Sequence, residues 1–258
     1  MGYVGKSLRL KRLFYSGRNV GVIVPIDHGL TAGPLPGLRT MPEIMKWVGC
    51  ESISAIIVHK GILERLAAAG YPAATTGVVL HLNGMPLLGS EADTKQFVTS
   101  IETAVRMGAD AVSVQVNFTE GNYEHNLRLL GEVTDAANAA GLPVLTMLYD
   151  KGPRTSSNEA IDRLHKLIRV VTEVGSDMVK IGFPKSASAL SEIVATHGEN
   201  IRILVAGGEQ TSDDEFCKFT ETVMDAGAQG LCAGRNVFQS KSPMTLLRRL
   251  EVICKAQA

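Results

Sequence analysis

Lys180 stands in the run Ser176-Asp177-Met178-Val179-Lys180-Ile181-Gly182-Phe183, an apolar stretch that is a costly place for a charge. Strand alternation puts Met178, Lys180 and Gly182 on one face and the valine, isoleucine and phenylalanine on the other. A buried ammonium loses its hydration, so burial is expected to lower the pKa of Lys180 towards a neutral, nucleophilic amine. Such an amine condenses with a carbonyl to form a Schiff base, and Gly182 beside it leaves room for a substrate. The same spacing fits a lysine that reaches outward and binds an anion.

An amine nucleophile needs groups that shuttle protons while water leaves and carbon–carbon bonds change. Tyr149, in Met147-Leu148-Tyr149, and Asp27, in Ile26-Asp27-His28-Gly29, end apolar runs and have the right chemistry. A strand-end aromatic and a loop-capping aspartate are the plainer readings of the same two residues. Gly207-Gly208 and Gly234-Arg235 end two further runs. Glycines there let backbone N–H groups approach a phosphate, and a short helix starting near Asn236 would add its positive end. His28, His59 and His81 end the first three runs, but no helical i, i+4 ligand pair is present. Hydrogen-bonded or substrate-contacting histidines are the expectation, and no metal is expected.

These residues need a scaffold that collects strand ends. Apolar, β-rich runs recur about every thirty residues, at 20–27, 55–60, 75–82, 109–117, 143–150, 177–183, 202–207 and 231–234. Near-continuous apolar character suits parallel strands buried on both faces. Helical spacing lies between them: Phe97, Ile101, Ala104 and Val105 form one face, and Ile161, Leu164, Ile168 and Val171 another. Ser156-x-x-Glu159 and Ser212-x-x-Glu215 read as capping boxes. Gly70, Gly108, Gly141, Gly175, Gly198 and Gly227 stand where helices should stop. Eight alternating units predict an α/β fold, a single (β/α)8 TIM barrel spanning 1–258. An extra N-terminal helical segment, 6–15, with Leu10, Leu13 and Phe14 on one face, is expected to plug the barrel bottom.

Composition narrows the partners. Formal net charge is zero and the isoelectric point near 7, which excludes electrostatic capture of nucleic acid or an anionic membrane. Cys50, Cys217, Cys232 and Cys254 form no C-x-x-C pair and read as buried thiols of a reducing compartment. Apolar runs are strand-sized, and Lys6 occupies the position where a myristoylation signal wants Ser or Thr. A cytoplasmic location follows as the expectation.

The order of these motifs resembles the archaeal-type class I aldolases, the DhnA-type fructose-bisphosphate aldolase family. The likeness runs from Val24-Pro25-Ile26-Asp27-His28-Gly29 through Met147-Leu148-Tyr149, Val179-Lys180 and Val205-Ala206-Gly207-Gly208 to Gly234-Arg235-Asn236-Val237-Phe238-Gln239. It implies that Lys180 forms the imine, Tyr149 is the general acid/base and Asp27 assists proton transfer. It also implies that Gly207, Gly208, Gly234 and Arg235 hold a substrate phosphate, with His28 and Lys60 further substrate contacts. Members need no metal or cofactor and form homo-oligomers, often rings of five or ten. His59-Lys60-Gly61 and Ser113-Val114-Gln115-Val116-Asn117 look more like the aminodideoxyheptulosonate synthase branch. That branch joins aspartate semialdehyde to a phosphorylated sugar or triose fragment. Fructose-bisphosphate aldolase, a thiolase of quorum-signal breakdown and a non-enzymatic phosphosugar-binding protein stand as alternatives. Where relatives commonly read Tyr-Pro-Arg-Gly, this chain has Tyr149-Asp150-Lys151-Gly152-Pro153-Arg154, and Glu209-Gln210 follows the paired glycines. Both changes are expected to add negative charge near the acceptor and to disfavour a second phosphate.

Overall fold

The computed structural model describes residues 2–88, 91–153 and 156–256; Arg154 lies outside them. Its strands are β1 (Gly21–Pro25), β2 (Ala55–Val58), β3 (Gly77–His81), β4 (Asn83–Gly84), β5 (Gln96–Phe97), β6 (Ala111–Phe118), β7 (Val144–Asp150), β8 (Met178–Ile181), β9 (Arg202–Ala206) and β10 (Gly230–Cys232). All but β4 and β5 pair in parallel and close a barrel in the order β1-β2-β3-β6-β7-β8-β9-β10, with β10 returning to β1. Each of the eight expected runs is therefore a barrel strand. The short β4 and β5 form an antiparallel pair of their own.

Helices α1 (Gly2–Lys11), α2 (His28–Ala32), α3 (Met41–Met45), α4 (Lys60–Ala68), α5 (Ile101–Arg106), α6 (Tyr123–Ala140), α7 (Ser157–Val174), α8 (Ala187–His197), α9 (Asp213–Asp225), α10 (Arg235–Phe238) and α11 (Pro243–Ala256) complete the chain. The apolar side chains separate into two cores. Val179, Ile181, Leu167, Ile168 and Val171 belong to the larger one, between strands and helices. Ile23, Ile57, Val79, Leu145, Met147, Met178 and Leu204 fill the barrel interior. Leu13 and Phe14 join that inner core with Leu10 against it, so the segment after α1 closes the barrel bottom as its apolar face demands. Lys6 on α1 pairs with Asp177 at 2.9 Å and fastens the plug to the strand that carries Lys180.

Two local expectations fail around α5, and Gly198, which ends α8 as expected, does so without the positive φ. Phe97 is not on a helix: it lies in β5 and is 44% exposed, and the helix starts after Ser100, whose side chain accepts from Thr103 N. Val105 is exposed as well, leaving Ile101 and Ala104 as the buried face of α5. Gly198 keeps a right-handed conformation (φ −63°), whereas Gly141 and Gly175 take the left-handed one that ends a helix. At Ser212 both halves of the capping box form. At Ser156 the side chain accepts from Glu159 N and donates to the Glu159 carboxylate. The four cysteines are buried free thiols. No helix among the described residues is long and apolar enough to cross a membrane.

Candidate active site

Alternation in β8 decides where Lys180 points. Met178 lies in the barrel interior while Val179 and Ile181 face the helices, so Lys180 faces inward and is only 7% exposed. β7 runs beside β8 with Met147 opposite Lys180. Two residues further on, Tyr149 returns to the inward face and acts electrostatically on the Lys180 side chain. Asp27 follows β1, the strand whose Ile23 also faces the interior. It occupies the N-cap position of α2 yet makes no capping hydrogen bond, so its carboxylate is free for other partners.

Those partners are histidines. His28 Nδ1 lies 3.6 Å and His81 Nε2 3.7 Å from the Asp27 carboxylate. His81 holds its ring through Nδ1, which meets Ser113 Oγ at 2.8 Å, and the His59 ring stacks edge-on against it. His81 is hydrogen-bonded, as the sequence leads one to expect of its strand-end histidines, and Val79 and His81 alternate in β3 as Met178 and Lys180 do in β8. No group of three His, Cys, Asp or Glu side chains among the described residues is arranged to hold a metal ion.

The electrostatics correct one expectation. Burial does draw the pKa of Lys180 down, but Tyr149, Cys232 and Asp27 together outweigh it and raise it to about 12. Lys180 is therefore an ammonium at neutral pH, and removing its proton has to be part of the chemistry. Asp27 is pushed up by burial yet held below the usual carboxylate range by His81, His28, Lys180 and His59. Burial pushes His81 down to about 4, against the pull of Asp27, so its ring is uncharged at pH 7. With His81 uncharged, Lys180 is a cation that remains beside Asp27 at neutral pH. Cys232, facing inward on β10, is driven up to about 11 by burial and stays a thiol.

The two glycine loops sit side by side after β9 and β10. Asn236 fastens them together: its Nδ2 donates to Gly207 O and Glu209 O, both at 2.9 Å, and its Oδ1 accepts from Thr211 N at 2.8 Å. Gly208 takes φ +71°, a conformation glycine favours, with open space where a Cβ would stand. A Cβ on Gly234 would lie 2.9 Å from the His28 ring, so this glycine is what lets His28 pack against the loop. Arg235 is exposed at the start of α10 and close enough to bear on His28 electrostatically. The structure thus gathers Lys180, Tyr149, Asp27, His28, Gly207, Gly208, Gly234 and Arg235 at the ends of neighbouring strands.

Lys60 is not brought to this group. As the first residue of α4 it is exposed, and its amine donates to Val98 O at 2.6 Å. Asp150 is also not the free carboxylate the sequence suggests. It pairs with Arg163 of α7 and accepts from Gly152 N, and a Cβ on Gly152 would collide with that guanidinium. Glu209 remains exposed beside the glycine loop. A groove of about 1510 Å³ opens at the opposite end of the barrel, around Arg12, Tyr15, Ser52, Thr76, Arg248 and Lys255, away from these groups.

A lysine inside a barrel mouth, with a phenol on the next strand, a carboxylate acting on its charge and glycine loops at the same end, is suited to imine chemistry on a phosphorylated carbonyl compound. Comparison with known proteins points the same way. The chain is 34% identical over 251 residues to 2-amino-3,7-dideoxy-D-threo-hept-6-ulosonate synthase 1 of Archaeoglobus fulgidus, covering 97% of this chain and 91% of that one. It is 30% identical over 246 residues to 2-amino-4,5-dihydroxy-6-oxo-7-(phosphonooxy)heptanoate synthase of Streptomyces griseus, covering 95% and 88%. An archaeal fructose-1,6-bisphosphate aldolase, solved with its catalytic lysine covalently bound to the carbinolamine intermediate, superposes with a TM-score of 0.84 at 25% identity, covering 96% of this chain and 99% of the other. Residues 21–240 match the DeoC/LacD family aldolases, and the chain belongs to that family as an enzyme of the archaeal-type class I aldolase kind.

Proposed function

We propose that this enzyme joins a phosphorylated keto fragment such as dihydroxyacetone phosphate to an aldehyde, aspartate semialdehyde being the acceptor that fits best. The observation that carries the reading is the inward, buried Lys180, with Tyr149 on the inward face of the neighbouring strand and Asp27 acting on its charge. In the first step Lys180 gives up its proton to solvent as the ketone enters, Asp27 assisting the transfer, and its amine adds to the ketone carbon. The carbinolamine formed loses water to give the imine, Tyr149 delivering the proton that lets hydroxide leave. Loss of a proton from the adjacent carbon makes an enamine, which attacks the aldehyde carbon. Its oxygen takes a proton, and water then releases the product ketone and restores the amine. The glycine loops after β9 and β10 hold the phosphate through backbone N–H groups, with Arg235 at their edge.

The choice of acceptor rests on the synthase relatives. The product named for the Streptomyces protein carries an amino acid end and a phosphonooxy ketone end. Fructose-bisphosphate cleavage is the second reading, favoured by the likeness to the archaeal aldolase. Of the two departures, Asp150 is neutralised by Arg163 and Glu209 is left exposed, so charge alone is a weaker argument against a second phosphate than the sequence implies.

Incubation with dihydroxyacetone phosphate and borohydride should add mass to the peptide containing Lys180, and Lys180→Met should abolish both labelling and turnover. Label on Lys60, Lys151 or Lys185 would assign the imine to the wrong lysine. Comparing kcat/KM for aspartate semialdehyde and glyceraldehyde 3-phosphate then separates the two readings.

A further inference from the structure

Lys95 has no part in the chemistry above, yet it is among the largest fully buried side chains, 2% exposed. It sits in the segment between β3 and α5, which follows the C-terminal end of a barrel strand and so lies on the active-site side. The segment is firmly tied to the barrel. Asn83 and Gln115 exchange two hydrogen bonds, at 2.9 and 2.8 Å. Asn117 donates to Asp93 at 3.0 Å, and the His125 ring meets Lys95 O at 2.8 Å. The backbone on either side of Lys95 is thus pinned to β6 and α6.

Its amine is poorly served by the protein. An ammonium has three donors, but Lys95 makes one long hydrogen bond, 3.4 Å to Met85 O. No carboxylate among the described residues lies within ion-pair distance of it. Asp93 is near enough to act on its charge but is held by Asn117. Asp27 and Lys151 act on it too. A buried cation without a close counter-charge is unfavourable unless a ligand supplies one. Asn117 ties the segment to β6, three strands from β9 one way and five the other, and Asp27 acts on the Lys95 charge, which sets Lys95 on the far side of the mouth from the glycine loops.

We infer that Lys95 receives the carboxylate of the aldehyde acceptor, so that substrate spans the barrel mouth from the glycine loops to the segment after β3, with the new bond forming over Lys180. This rests on the proposed condensation. A carboxylate suits the place because Lys95 offers one buried ammonium whose donors are left with a single long hydrogen bond. Lys95 would then select acceptors that end in a carboxylate.

Succinic semialdehyde and butyraldehyde differ only in carrying a carboxylate or a methyl group, and serve as acceptors with dihydroxyacetone phosphate as donor. The wild-type enzyme should prefer succinic semialdehyde by at least tenfold. Lys95→Met should lower kcat/KM for it by about 10- to 100-fold, mostly through KM, the scale of a lost hydrogen bond to a charged group. Turnover of butyraldehyde and borohydride labelling of Lys180 should be unchanged, and Lys95→Arg should keep part of the preference. Equal use of the two aldehydes by the wild type, no use of succinic semialdehyde, or an equal loss for both in Lys95→Met overturns the inference. Should Lys95→Met not fold, Lys95→Gln decides: it should lose the preference for succinic semialdehyde over butyraldehyde, and a retained preference overturns the inference. Failure of the wild type to be labelled at Lys180 would instead defeat the parent reading and this one with it.

Discussion

The balance of charge at Lys180 sets the first chemical demand on the site. Burial and the neighbours pull its pKa in opposite directions, and the neighbours win, leaving the amine protonated. Because Cys232 is a neutral thiol at pH 7, Asp27 is the carboxylate that sustains this state. Asp27→Asn should therefore lower the pKa of Lys180, since burial would be less opposed. The pH dependence of cyanate carbamylation at Lys180, read by mass spectrometry, measures this directly, and an unchanged or higher value contradicts the assignment. Tyr149→Phe keeps the ring and removes the transferable proton. We expect turnover to fall by about 10²-fold or more with the fold retained, the usual scale of general acid–base catalysis. A near-wild-type rate would reduce Tyr149 to a wall of the pocket.

At the scale of elements, strands deliver the chemical groups and loops deliver the substrate contacts, and the two are not equally legible in the sequence. The near-continuous apolar runs and the alternation in β8 are enough by themselves to point Lys180 inward. Tyr149 obeys the same parity through its register with β8. The segment after β3 carries no such signal: two-residue strands have no period to read, so Phe97 falls into an apparent helical pattern. Lys95 is hidden for the same reason, standing in the polar stretch Glu91-Ala92-Asp93-Thr94-Lys95-Gln96. Asn236 reads as part of a motif, while its role as the tie between two loops depends on barrel closure bringing β9 beside β10. Asn236→Ala strips that tie and leaves Gly207 O, Glu209 O and Thr211 N without their partner. We expect a stability loss of roughly 1–3 kcal/mol and a raised KM for dihydroxyacetone phosphate, with the Lys180 labelling site unchanged. Urea unfolding and steady-state kinetics check the two parts, and an unaltered KM would remove the loops from phosphate binding.

The whole molecule couples this mouth to its stability. The barrel wall and the Leu13–Phe14 plug exclude water from the interior, and the same exclusion holds His81 uncharged. Its pKa falls from an ordinary value near 6.5 to about 4 in the folded chain, with burial the main cause. The unfolded chain therefore binds a proton between those values that the folded chain refuses. Stability is fully present above pH 6.5, declines as pH falls, and levels off for this group below about 4. His81 alone should account for about 2 kcal/mol by pH 5 and about 3 kcal/mol in full, a sizeable share of an ordinary domain's stability. His28 and His59, also lowered by burial, act in the same direction. Asp27, held below its ordinary range, adds its loss only at lower pH, as it is finally protonated. Urea midpoints measured from pH 8 to pH 4.5 should thus be flat above neutrality and drop below about pH 6.5. His81→Gln, which cannot take up the proton, should be less stable at neutral pH but should show a shallower acid decline. Parallel declines in the two proteins would mean that the loss arises elsewhere in the barrel.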